Sequence, residues 1–238
     1  DEMECMEALK AAAVAAGYGP GMDITDLIVN RSFAKAEKVL DAKGKEVSGT
    51  KTAERWNGYL YSNGTNKEGT MSAAEFCNEQ SKANISQTLT NLKDGYYQVK
   101  LNAGFRPQGN INSFDYAALA FANDTKTYVP VVRDYMVTSK EEAWTGSTAD
   151  KPIYACDVDG ITGVPAVDSV EVGYVIWGVQ GTINAILHDR YEITMVAQVT
   201  DGNLTIGLKN EGTIVGGDWL AAGNFRLTYL GEQATAEA

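Results

Sequence analysis

Histidine is almost missing from this chain of 238 residues, which holds one, His188. Cysteine is scarce too, and Cys5, Cys77 and Cys156 show no Cys-x-x-Cys spacing. Together these shortages argue against zinc, redox and histidine-based acid–base chemistry. Cys77 and Cys156 could pair, or both could be buried or free thiols. Basic residues are outnumbered, 20 Lys and Arg against 31 Asp and Glu, for a formal net charge of −11. Nucleic acids and anionic membrane surfaces need a basic face, so neither is an expected partner. No apolar run approaches the roughly 18 residues that span a bilayer. No signal peptide is visible and the first residue is Asp1 rather than Met, as expected of a processed product whose targeting segment has gone.

Glycine is plentiful at 24 residues, and 44% of the chain is hydrophobic, enough for one large all-β core. The clearest pattern lies at 84–107. Tyr97, Val99, Leu101, Ala103 and Phe105 alternate with Tyr96, Gln98, Lys100, Asn102 and Arg106. That period of two marks a strand with one buried face. Residues 85–89 form a shorter strand before it, and Asn91 to Gly95 supply turn chemistry between the two, as in a hairpin. Alternation recurs at Ile193, Met195, Ala197 and Val199, at Leu204, Ile206 and Leu208, and at Phe225, Leu227 and Tyr229. Residues 116–122 read as a strand with Ala117, Leu119 and Phe121 on one face, and 127–132 as its partner, with Pro130 indicating an edge. Residues 23–33 read as a short strand, 35–52 are weakly patterned, and 73–80 read as a brief helix or irregular edge. Residues 2–16 have helical spacing and 180–190 read as one inserted helix, with Ile183, Ile186 and Leu187 on one face. No period holds from 133 to 173, a long loop of the kind that is either functional or irregular but packed. The expectation is an antiparallel jelly-roll β-sandwich over 22–238, preceded by a helical segment and linker over 1–21.

The phrases DITDLIVNRSF, ISQTLTNLKDGYYQVKLNAGFRP, DGNLTIGLKNE and GGDWLAAGNFRLTYLG, in that order, resemble the galactose-binding-domain-like β-sandwiches. Among these the chain is similar to uncharacterised secreted or surface lipoproteins of Gram-negative gut anaerobes. The resemblance implies a carbohydrate-binding module at the cell surface or outside the cell, with a glycan as partner. It equally admits a structural or adhesion module that binds another surface protein, because the superfamily holds both. Its members commonly carry Phe-Glu at the end of the opening strand and Asp at the start of the closing one, carboxylates that help hold a structural calcium. Here the positions read Phe33-Ala34 and Gly223-Asn224, so the oxygen donors calcium prefers are missing. No metal and no other cofactor is expected.

Candidate catalytic groups are weak. Glu141 with Glu142 and Asp157 with Asp159 are the densest loop acids, and pairs among 31 carboxylates carry little information. His188 has no serine or cysteine motif that calls for it. No phosphate-binding glycine pattern occurs. The chain is therefore read as non-enzymatic. Sugar sites set an aromatic ring against the sugar and ring it with planar polar groups. On that chemistry the candidate ligand-binding residues are Trp144 in a polar loop, Trp177 before the inserted helix, Arg106 and Asn112 near the central strand, and Tyr61 and Tyr135 near turns, to which Tyr59 and Tyr128, also near turns, could add. Arg106 shares a strand face with Asn102. Trp56 and Trp219 lie within strand-like phrases and are expected in the core.

Overall fold

The computed structural model of the chain describes residues 17–77, 83–107, 115–134, 176, 178–211 and 218–232. The chain is an antiparallel β-sandwich. Its larger sheet has six strands in the order β10 (Glu192–Val199), β7 (Gly95–Arg106), β12 (Trp219–Gly231), β5 (Ser72–Cys77) and β4 (Ser62–Thr65), with β1 (Met22–Asp23) also on β12. The second sheet runs β6 (Asn84–Leu89), β11 (Leu204–Asn210), β8 (Ala118–Ala122) and β9 (Thr125–Tyr128). A two-stranded hairpin, β2 (Ala36–Leu40) with β3 (Glu46–Ala53), stands apart, and one helix, α1 (Gly178–Leu187), completes the described elements.

β7 is the spine. Its five alternating residues, Tyr97 to Phe105, are wholly buried and face β6, β8 and β11 across the core. Each large apolar side chain removed from water there contributes about 1.5–3 kcal/mol. The alternation in β10, β11 and β12 also points inward as its period requires. β6 and β7 are not a hairpin, however. β6 pairs with β11, and β7 pairs with β10 and β12. Both strands have an apolar face, and these faces oppose one another across the core, so the turn carries the chain from one sheet to the other. Asn91 and Gly95 take the positive φ that this crossing needs (59° and 138°).

Several other expectations change. Residues 23–33 are not a strand. Ile24, Leu27 and Ile28 stand three and four apart, the spacing of a helical turn, and Thr25–Leu27 forms a 3-10 turn that plugs the core. Residues 35–52 hold the β2–β3 hairpin, whose faces stay too exposed for a clear period. Residues 73–80 include a true strand, β5. In β8 Leu119 and Phe121 do share one face, as expected, but it is the outer one, and the alanines at 118, 120 and 122 fill the core. Beneath the 3-10 turn, Phe33 packs with Trp56, Phe76 and Phe225 at ring-centroid distances of 4.7, 6.0 and 6.0 Å. The Trp56 indole N–H donates to the carbonyls of Val29 and Asn30, both at 3.1 Å. Buried Gln87 bonds both backbone polar groups of Val29.

At the opposite end Tyr18, within the expected linker of 1–21, packs into the core. Its hydroxyl meets that of Tyr97 at 2.6 Å and accepts the Lys93 N–H at 2.9 Å. The side chains of Asn123 and Thr125 donate to the carbonyls of Gln198 and Val196, closing the gap between β9 and the edge strand β10. The helical reading of residues 2–16 falls outside the described residues.

Candidate functional site

Each sheet has an outer face, and the two differ. The six-stranded one is largely closed. α1 lies over it, with Ile183 and Ile186 against Ala73 and Ala185 against Trp219 and Tyr191. Leu187, expected on the same face, is instead exposed, because the helix ends there. Beyond the helix a polar lattice takes over. Glu192 accepts from Lys100 and from Arg226, both at 2.9 Å. Buried Asn102 donates to the Arg190 carbonyl and accepts from Asn224 and Arg226. The hydrogen bond from Lys100 leads the pull that holds the Glu192 carboxyl below its ordinary range, against partial burial.

The outer face of the four-stranded sheet carries a regular grid. Strand register sets Asn84, Lys209, Leu119 and Tyr128 in one row, and Ser86, Gly207, Phe121 and Lys126 in the next. Neighbouring strands lie about 4.8 Å apart. Gly207 leaves room for the Phe121 ring: a Cβ there would sit 2.6 Å from the ring and 2.2 Å from the Ile85 carbonyl oxygen. Tyr128 is 53% exposed and Tyr116 43% exposed, and their rings meet edge to face with centroids 6.1 Å apart. The Tyr116 hydroxyl donates to Asp134 Oδ1 at 2.7 Å, and Asp134 Oδ2 accepts the Val131 N–H at 3.0 Å. The aromatic corner is therefore held before any ligand arrives. Exposed aromatic faces with lysine, amide and hydroxyl neighbours can accept a flat apolar ring edged with hydroxyls.

Of the residues expected at a site, Arg106 and Tyr61 are described. Trp144, Trp177, Asn112 and Tyr135 lie outside the described residues, as do Cys5, Cys156 and the four loop acids. Arg106 is set over the Trp219 ring at 4.8 Å, and Trp219 donates its indole N–H to Glu75 Oε1 at 3.2 Å. Burial pulls the Arg106 guanidinium down to about 10, with Glu75 opposing, so it stays cationic at neutral pH. Cys77 borders this group, and burial pushes its thiol up to about 11. Arg106 shares its strand face with Asn102, as the alternation requires, but the two serve different clusters. Tyr61 is 39% exposed and precedes β4, three strands and roughly 14 Å from β7. Trp56 and Trp219 are buried, in the core roles expected of them. His188 is exposed just beyond α1. Among the described residues no group of three His, Cys, Asp or Glu side chains is arranged to hold a metal. Where the resemblance places calcium ligands, the carbonyls of Phe33 and Ala34 accept from the Asn63 amide at 3.1 Å each.

Sequence reasoning named Tyr128 among the turn tyrosines, assigned Tyr116 and Phe121 only to a strand, and passed over Lys126. The one available signal was the alternation in β8, where large residues fall opposite a row of alanines.

Fold and surface thus define an antiparallel β-sandwich with one closed and one aromatic outer face. No family model matches the chain. No curated protein matches it. Among solved structures it is similar to a Bacteroides thetaiotaomicron protein provisionally named a sugar binding protein. The two share 14% identity over 85% of this chain and 99% of that one, at a TM-score of 0.30, a likeness too loose to place residues on one another.

Proposed function

We propose that the chain is a non-catalytic carbohydrate-binding module of a cell-surface or secreted protein, and that its sugar is received on the outer face of the four-stranded sheet. The observation that carries this reading is the exposed Tyr116–Tyr128 corner, fixed by Asp134. Rings oriented in advance lose little side-chain entropy when a sugar stacks on them. The galactose-binding-like strand phrases support the same reading. Trp144, Trp177, Arg106, Asn112, Tyr135 and Tyr61 are the further candidates for contact.

A glycan array with the purified domain tests it, alongside Tyr128→Ala and Trp144→Ala. Binding to a narrow glycan set that Tyr128→Ala abolishes is the expected result. Loss with Trp144→Ala alone would move the site off this face. No binding across a broad array would favour the second reading, a structural or adhesion module that contacts a surface protein. One observation favours that second reading: both described tryptophans are spent inside the fold.

A further inference from the structure

We infer that the ligand of this face is an anionic glycan, one bearing uronate or sulfate groups; the inference rests on the carbohydrate reading above. Charge is distributed against the average of the chain. The formal net charge is −11, yet the two rows of the grid contain Lys126 and Lys209 and no Asp or Glu among their described residues. Among the described residues, acids flank these strands beyond their ends, at Asp115, Asp124, Asp134 and Glu211, and Asp134 is already engaged by Tyr116 and Val131. Each row of the grid holds one aromatic ring and one lysine. Lys209 pairs with Leu119, which pairs with Tyr128, and Phe121 lies between Gly207 and Lys126. A sugar ring stacked on exposed Tyr128 would therefore have Lys126 two residues along the same strand and Lys209 two strand spacings away. The six-stranded sheet supplies the contrast. There Lys100 and Arg226 are both tied to Glu192, whereas no carboxylate in this grid neutralises Lys126 or Lys209.

Affinity electrophoresis of the whole chain tests this in gels containing polygalacturonate, dextran sulfate or the neutral polymers dextran and mannan, at low and high salt. Retardation by polygalacturonate is expected, relieved by salt because exposed charges are screened. The double variant Lys126→Gln/Lys209→Gln is expected to weaken it about five- to tenfold with an unchanged melting temperature, the sum of two exposed ion pairs. Tyr128→Ala is expected to weaken it as well. Retardation by a neutral polymer alone overturns the anionic assignment and leaves the carbohydrate reading standing. Polygalacturonate binding that survives the lysine variant overturns the assignment to this face. Retardation by dextran sulfate that Tyr128→Ala leaves unchanged marks simple polyanion adsorption and also overturns it. No retardation by any polymer removes both readings.

Discussion

Gly207 is the residue on which the outer face of the four-stranded sheet depends. A Cβ at that position meets the Ile85 carbonyl oxygen at 2.2 Å, and that atom belongs to the paired backbone of β6 and cannot swing aside. Gly207→Ala is therefore expected to lower stability by about 1–3 kcal/mol, the range for overpacking, and to lift the Phe121 ring from its seat. A thermal melt and the near-ultraviolet circular dichroism of the aromatics measure the two effects, and an unchanged melting temperature would show that the sheet yields. Tyr128 is the converse case. It is half exposed, so its truncation is expected to change stability by less than about 0.5 kcal/mol while removing the proposed sugar binding. The first residue supports the surface and the second belongs to it.

Among the elements, β10 depends on a charge. Glu192 opens that strand and joins it through Lys100 to β7 and through Arg226 to β12. Its carboxyl is held below the ordinary value of 4.5, so the folded state binds its proton less readily than the unfolded chain. The sign follows from that: the contribution is fully present above about pH 4.5 and is lost as pH falls through the lowered folded value. Glu192→Gln is expected to flatten the acid limb of the stability–pH curve and to lower stability at neutral pH. Urea melts between pH 3 and pH 7 measure it, and parallel curves for the two proteins would sink the assignment. α1 depends on burial instead. Its residues Gly181 to Ile186 are buried in succession, well over one full turn, so the helix is enclosed on every side and not on one stripe.

For the whole molecule, the two ends of the sandwich have different duties. Tyr18, Tyr97 and Tyr229 lock one end, where Gly231 also lies against Pro20. Tyr116, Arg106 and Asp134 stand at the other. At the Phe33 turn the Asn63 amide already serves the carbonyls of Phe33 and Ala34. Exhaustive dialysis against a chelator is expected to leave the melting temperature unchanged. A fall of more than a few degrees would reveal a metal that stabilises the fold.

The sequence by itself determined the strands whose faces differ most in polarity. Tyr97 to Phe105, Ile193 to Val199, Leu204 to Leu208 and Phe225 to Tyr229 could turn only one way, since the period of a strand is two and water lies on one side. It also placed Trp56 and Trp219 inside. It could not say which strand pairs with which. The links 90–94 and 200–203 carry turn residues whether they join neighbours in one sheet or cross between two, and only the packing of opposed apolar faces makes the choice. The candidate site was hidden for the same reason. Leu119 and Tyr128 meet across a hairpin that the sequence shows, but Lys209 joins their row only through the register of β11 on β8. Arg106 was legible as a polar residue on the central strand, yet its partners Trp219 and Glu75 come from two other strands. Alternation along one strand is local and can be read directly, whereas adjacency between strands is settled by the free energy of the closed core.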